Sequence, residues 1–377
     1  MDRYTVFAEK RAGDFELLAE LSRREKEVKV NYAGLFPFNA EYDSTVTQFS
    51  PRLRHSFGKT EIANEFIFGM DFSHWERDTR SNSSFGNSAD HASQKSYALY
   101  VRDEIRIKNL RLAAGARTEK FSKNYGDSFG TGYKKEQSVS AWDLQGNYAV
   151  SKHLDVFAKV GRSYRIPNAD ENGLRFTLDL LEPQVSRDLE LGTAIGNADH
   201  RVAVRLFQHR IKDEIFYDPT LPFGGANTNL DDTRREGIEI EARTRLSHAF
   251  ALSGIWQHVS AKFTDGLNNG NEMILVPENI ATLRLNWAPG NGHNADVGVQ
   301  WVDSQRYGDD FTNTCSSRIP SFTTMDARYA FRTGAWEFAI AGSNLTDTHY
   351  YSSAFSCRGG IYPEPGRQVK LSVRYDF

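Results

Sequence analysis

Gln368-Val369-Lys370-Leu371-Ser372-Val373-Arg374-Tyr375-Asp376-Phe377 closes the chain, and its strict alternation decides the fold. Successive side chains on a β-strand point to opposite faces. Val369, Leu371, Val373, Tyr375 and Phe377 therefore share one apolar face, and Gln368, Lys370, Ser372, Arg374 and Asp376 share a polar one. Such a strand is built to lie between an apolar phase and an aqueous one.

The same period recurs upstream. Leu154, Val156, Ala158 and Val160 alternate with Asp155 and Lys159, and Ala281, Leu283, Leu285 and Trp287 with Thr282, Arg284 and Asn286. Ile238, Ile240 and Ala242 oppose Glu239, Glu241 and Arg243. Alternation alone also suits a soluble sandwich, so the connections decide. Short turns fall near Ala12-Gly13, Gly58-Lys59, Lys108-Asn109, Ser151-Lys152, Asn197-Ala198, Ser247-His248, Gly290-Asn291 and Thr333-Gly334. Between them the reading places long polar loops at 25–43, 77–93, 122–137, 167–186, 217–232, 263–276, 304–319 and 348–366. Short and long connections alternate, as a meander crossing a membrane requires and a Greek-key sandwich does not. Phe15, Phe57, Tyr148, Phe250, Trp287, Phe331, Trp336 and Tyr375 lie near the short turns or the chain end, where an aromatic girdle meets the periplasmic interface. The expected fold is all-β: an antiparallel up-and-down transmembrane β-barrel.

Composition is compatible with this. Hydrophobic residues make up only 39% of the 377 residues, and no run is long and apolar enough for a transmembrane helix. A barrel strand needs only alternate apolar residues, so polar lumen and loop residues can mask it. A formal net charge of -3 gives no attraction to nucleic acid. Cys315 and Cys357 have no metal-ligand spacing, and no catalytic pair, metal site or cofactor site is expected. Met1-Asp2-Arg3-Tyr4-Thr5-Val6-Phe7 does not read as a signal peptide.

Several motifs, in a fixed order, resemble the β-barrel of TonB-dependent outer-membrane receptors. Gly161-Arg162-Ser163-Tyr164-Arg165-Ile166-Pro167 is similar to the family's aromatic-Arg-x-Pro stretch, followed by Leu181-Glu182-Pro183-Gln184 and Leu189-Glu190-Leu191-Gly192. Asn229 with Gly237-Ile238-Glu239-Ile240-Glu241 resembles the next strand, and Pro277–Leu285 and Ile319–Tyr329 match later strand starts. Gly342-Ser343-Asn344-Leu345-Thr346-Asp347, Tyr350-Tyr351, Pro365-Gly366-Arg367 and the terminal Phe377 resemble the family's ending. The resemblance implies a barrel of roughly 22 strands with a plugged lumen. About 17 strands are counted here, so residues 1–377 read as one barrel domain incomplete at its N-terminus, without plug or signal peptide.

The family implies uptake of a scarce nutrient, a ferric siderophore foremost, driven by the TonB complex through the plug. Cobalamin, haem or a glycan, and a passive porin, are the alternatives; the absence of histidine between Tyr164 and Glu190 speaks against haem. Phe216, Tyr217, Tyr307, Phe311, Arg318, Tyr350, Phe355 and Arg358 in the outer loops are the candidate contacts, rings and cations for an anionic metal chelate. Val373, Tyr375 and Phe377 resemble the signal read by the outer-membrane assembly machinery, and the apolar faces meet outer-membrane lipid. Asn344, Asp347 and Arg367 are read as satisfying backbone groups, and Gly192 and Gly237 as relieving crowding or permitting a bulge. Cys315 and Cys357 fall in consecutive outer loops, where an oxidising surface favours a disulfide stabilising the fold by about 4 kcal/mol in the chain-entropy model.

Overall fold

In a computed structural model, residues 1–34, 37–59, 61–84, 86–130, 132–175, 179–222, 225–357 and 359–376 are described. Among the described residues, seventeen strands belong to one sheet. The chain divides into two units, Met1–Gly146 with Gly161–Tyr164 and Asn168–Asp170, and Asn147–Val160 with Arg165–Pro167 and Glu171–Phe377.

The first unit is an antiparallel meander of long strands: β1 (Asp2–Ala12), β2 (Phe15–Tyr32), β3 (Phe38–Lys59), β4 (Ile62–Ser83), β5 (Gly86–Ile107) and β6 (Leu110–Asp127). Each pairs with its sequence neighbour in one unbroken register. The strands β3, β4 and β5 have 22 residues each, about twice what a tilted strand needs to cross a bilayer. This corrects the sequence reading of 25–43, 77–93 and 122–137 as loops, because strand runs through nearly all of them. Both faces of these extensions meet water, so their residues are mostly polar and the alternation that marks a strand fades, persisting only over short stretches such as Val28, Val30 and Tyr32. Their backbone groups still pair across the ladder, which a loop of that length would not allow.

An outer row of rings marks where the apolar band ends. Leu21, Phe49, Phe72 and Tyr97 are consecutive Cα partners across β2, β3, β4 and β5. Phe49 stacks on Phe72 at 6.1 Å, and Phe72 meets Tyr97 edge-on at 5.8 Å. On the opposite face, Arg117 donates to the Tyr164 hydroxyl (2.9 Å) and pairs with Asp71, and Tyr164 donates to Glu119 (2.6 Å).

β7 (Gly132–Ser151) and β8 (Leu154–Arg165) contribute to both units. The second unit continues with β9 (Gln184–Gly196), β10 (His200–Lys212), β11 (Ile215–Asp218), β12 (Ala226–Asn229), β13 (Thr233–Arg245), β14 (Phe250–Phe263), β15 (Asn279–Trp287), β16 (His293–Val302), β17 (Phe322–Thr333), β18 (Trp336–Ser343), β19 (Tyr351–Ser356), β20 (Gly359–Pro363) and β21 (Gln368–Tyr375). The ladder runs from β9 to β10 and passes directly to β13, because β11 and β12 form their own hairpin inside a loop. It then runs through β18 to β21, with β19 and β20 set aside in the same way.

The polarity of this sheet is reversed relative to a water-soluble one. Leu191 is 57% exposed, while the side chain of the neighbouring Glu190 is only 12% exposed. Glu190 accepts from Lys159 (3.3 Å) and Arg205 (3.1 Å), and Arg205 also reaches Glu239 (3.0 Å). Buried charges are tolerated because they are paired, and exposed leucines because the phase outside is apolar. At the turn end, rings cluster: His293 stacks on Phe331 (4.6 Å) and Trp336 packs on Tyr375 (4.7 Å). Val373 and Tyr375 lie exposed on β21, and Phe377 lies outside the described residues.

Two glycines are fixed by crowding. A Cβ on Gly192 would stand 2.4 Å from the Phe157 ring, and one on Gly237 would stand 2.1 Å from the His258 carbonyl oxygen. The register runs straight through Gly237 towards both of its neighbours, so it sits in no bulge, and straight through Gly192 on its β10 side.

Candidate functional site

The loops of the second unit gather the residues that sequence marked. Residues 213–232 carry the β11–β12 hairpin, 264–278 join β14 to β15, 303–321 join β16 to β17, and 344–367 carry the β19–β20 hairpin. Each lies opposite the short turns along its strands, so all four emerge on one side of this sheet.

These loops are tied together. Cys315 and Cys357 form a disulfide with Cα atoms 6.0 Å apart, linking 303–321 to 344–367. Beside it, Gly308 N–H donates to the Ala354 carbonyl (2.9 Å), Gln305 Nε2 to the Ser352 carbonyl (2.7 Å), and Cys357 N–H to Asp309 Oδ2 (3.2 Å). A second tie joins 264–278 to 303–321: Glu272 accepts from Arg306 (3.0 Å) and Arg318 (2.5 Å), and Asn313 Nδ2 donates to the Glu272 carbonyl (3.1 Å). Burial opposes ionisation of Glu272, but the two guanidiniums outweigh it and hold the carboxyl below its ordinary range.

The expected contact residues divide accordingly. Phe216 meets Phe311 edge-on at 6.0 Å, and Tyr217 packs on Phe355 at 5.2 Å, so four of the rings form two pairs bridging separate loops. All four are partly exposed. Tyr350 stacks on Phe322 at 4.2 Å. Tyr307 is only 3% exposed and packs with Ile319 and Ala354, so it holds the loops up from beneath. Its hydroxyl lies 3.3 Å from that of Tyr351, and this hydrogen bond, with burial, pushes Tyr351 up to about 12. Arg318 is engaged by Glu272, and Arg358 lies outside the described residues. Glu272 and Arg306, the charged centre of the arrangement, carried no motif by which sequence could mark them. Their sequence separation of 34 residues is closed only by the fold.

The ordered motifs prove to be loop carpentry. Asn344 and Asp347 both take left-handed backbone conformations, with φ of 46° and 54°. Asn344 Nδ2 donates to the carbonyls of Thr348 (2.9 Å) and Pro365 (3.2 Å), and its Oδ1 accepts from Thr348 N–H (2.9 Å). Asp347 accepts the Arg367 backbone N–H (2.9 Å), which chiefly holds its carboxyl below the ordinary range, and the Arg367 guanidinium beside it adds to this. Asn229 does similar work, donating to the Glu182 (3.0 Å) and Asp213 (2.7 Å) carbonyls.

Comparison with known proteins places this geometry. A family profile described as TonB dependent receptor-like, beta-barrel, matches residues 8–345. The chain is 23% identical over 301 residues to the ferrioxamine receptor of Yersinia enterocolitica, covering 74% of this chain and 39% of that protein. It is 23% identical over 299 residues to the ferrichrome outer membrane transporter/phage receptor of Escherichia coli K12, covering 75% of this chain and 38% of that one. The chain thus spans about two fifths of the length of these relatives. Among solved structures, the siderophore receptor PiuA of Acinetobacter baumannii aligns with a TM-score of 0.79 at 16% identity, over 99% of this chain and 64% of that one. The ferric yersiniabactin uptake receptor FyuA of Yersinia pestis aligns with a TM-score of 0.78 at 18% identity, over 100% and 61%. At such identities these two likenesses establish the fold.

Proposed function

Because the chain belongs to the TonB-dependent receptor β-barrel family, a family of outer-membrane transport receptors, we propose that it serves the uptake of a ferric siderophore. The observation that carries this reading is the pair of ring contacts, Phe216 with Phe311 and Tyr217 with Phe355, which join the β11–β12 hairpin to two loops linked by a disulfide, one of them also tied to 264–278 through Glu272. Preorganised rings bind a compact ligand without first having to be ordered. The two curated relatives carry the names of receptors or transporters for ferrioxamine and ferrichrome, which favours the siderophore class over cobalamin, haem or glycan.

In this reading Phe216, Tyr217, Phe311, Tyr350 and Phe355 touch the substrate, and Tyr307 supports them. The residues described here supply the barrel of a longer receptor, and the TonB complex acts through a plug encoded outside residues 1–377. Val373, Tyr375 and Phe377 deliver the barrel to the assembly machinery.

Uptake of radioactive iron, presented as ferric siderophores, is the test, in a Gram-negative host deleted for its own receptors and expressing the full encoded receptor. Uptake that requires TonB, and that falls roughly tenfold or more when Tyr217 and Phe355 are both replaced by alanine, supports the reading. Uptake independent of TonB would show a passive pore instead.

A further inference from the structure

The formal charge of the whole chain, -3, conceals a strong segregation. Residues 213–232 contain five acids and no Lys or Arg, and 264–278 contain three and none. Residues 303–321 contain three acids against two arginines, and 344–367 two against two. These four loops hold nine more acids than cations, and Asp232 and Glu214 are offset by Lys212 and Arg235 on the adjoining strands, which leaves an excess of seven in a chain that is nearly balanced as a whole. The described arginines of these loops are also committed, and Arg358 lies outside the described residues. Arg306 is held by Glu272 and Asp310, Arg318 by Glu272, and Arg367 by Asp347. Among the described residues, by contrast, Asp218, Asp231, Asp265, Asp303 and Asp309 have no ion-pair partner. Of these, Asp218 caps Thr220 within the hairpin that presents Phe216 and Tyr217.

The crowding of like charge is felt by the groups themselves. Burial, then the carboxylates Glu182 and Asp232, push the Asp213 carboxyl above its ordinary range. Two aromatic pairs stand in the same loops, and ring faces attract cations. Field and rings thus point the same way: a polyanionic chelate approaching these loops meets repulsion with no free guanidinium among the described residues to offset it, whereas a cationic one meets attraction.

We infer that the outer loops of the second unit select ferric complexes by charge, accepting cationic or neutral chelates and rejecting polyanionic ones such as ferric tricatecholates. This rests on the siderophore reading above and replaces the anionic chelate expected from sequence. The acids act through their summed field and need not touch the ligand.

One chelate in several charge states separates the effects. A ferric linear trihydroxamate with a free terminal amine carries one positive charge. Acetylating the amine leaves it neutral, and succinylating it leaves one negative charge. Competition binding of these three and of a ferric tricatecholate is measured on outer-membrane vesicles bearing the full encoded receptor. The expected order is ammonium, acetyl, succinyl, tricatecholate. The ammonium and succinyl forms should differ by about tenfold or more at low salt, with the gap narrowing as salt rises. Asp218→Asn together with Asp265→Asn should shrink the gap while leaving the acetylated form bound as before. Equal or tighter binding of the succinyl form or the tricatecholate overturns the charge assignment and leaves the siderophore reading standing. Binding that depends on added calcium and ignores chelate charge also overturns it, because the acids would then serve a metal. Binding of none of the four overturns the siderophore reading itself.

Discussion

Glu272 concentrates the residue-scale chemistry of the loops. It is one carboxylate shared by two arginines, and losing it leaves Arg318 without its acid and Arg306 with Asp310 alone. Glu272→Gln keeps the shape and removes the charge. It should cost about 1 kcal/mol of local loop stability after solvent screening, read as faster hydrogen exchange in 264–278 and 303–321 with the barrel unaffected. The pH dependence has a definite sign. The folded pKa of Glu272 lies below its unfolded value, so the stabilisation is complete above the ordinary carboxylate range and is lost as pH falls through the lowered value. Protection of the loop amides, corrected for the pH dependence of the intrinsic exchange rate, should therefore stay flat from neutral pH down to about pH 5 and fall at lower pH, and Glu272→Gln should abolish that acid response. A fall that begins near neutrality would assign the response to another group.

At the element scale, the strands within the apolar band were legible and the strands above it were not. Val369 to Tyr375 declare a strand because one face meets lipid, and β15 does so for the same reason. The upper halves of β3, β4 and β5 have water on both sides, so nothing in residues such as Asn39, Asn82 and Asn87 distinguishes strand from loop. The outer ring row of Phe49, Phe72 and Tyr97 lies in segments that sequence reads as strand, but its alignment follows from the register between strands, which no single strand reveals. In the site, the aromatic positions and the two cysteines could be read from sequence. Which rings pair, and which arginine is already occupied, depends on contacts between distant loops. Strand interiors make a further testable claim. Gly192 leaves room for the Phe157 ring, so Gly192→Val should destabilise the sheet by about 1–3 kcal/mol through overpacking, measured by denaturant unfolding in lipid vesicles. A wild-type midpoint would show that the ring moves aside freely.

The whole molecule is best characterised by where it places its leucines. In the second unit Leu189, Leu191, Leu206 and Leu283 are about half exposed, while Glu190 is sequestered with Lys159 and Arg205. In water this arrangement would be unfavourable twice over, since it exposes apolar surface and desolvates charge. Surrounded by lipid, it becomes the stable one. Leu191, which faces Leu206 across the β9–β10 ladder, provides the decisive measurement because the two environments predict different outcomes for one substitution. On a water-soluble sheet Leu191→Arg would change stability by no more than about 0.5 kcal/mol, as exposed substitutions generally do. On a lipid-facing strand it should cost about 2–4 kcal/mol near the bilayer midplane. Unfolding titrations of the full encoded receptor in lipid vesicles, with Leu246→Arg beside a short turn as the shallow control, read this difference directly. The expected result is a large penalty at Leu191 and one of at most about 1 kcal/mol at Leu246, because the cost of a charge falls towards the interface. Equal, small effects at both positions would remove lipid from the apolar face and with it the membrane-spanning orientation of the sheet.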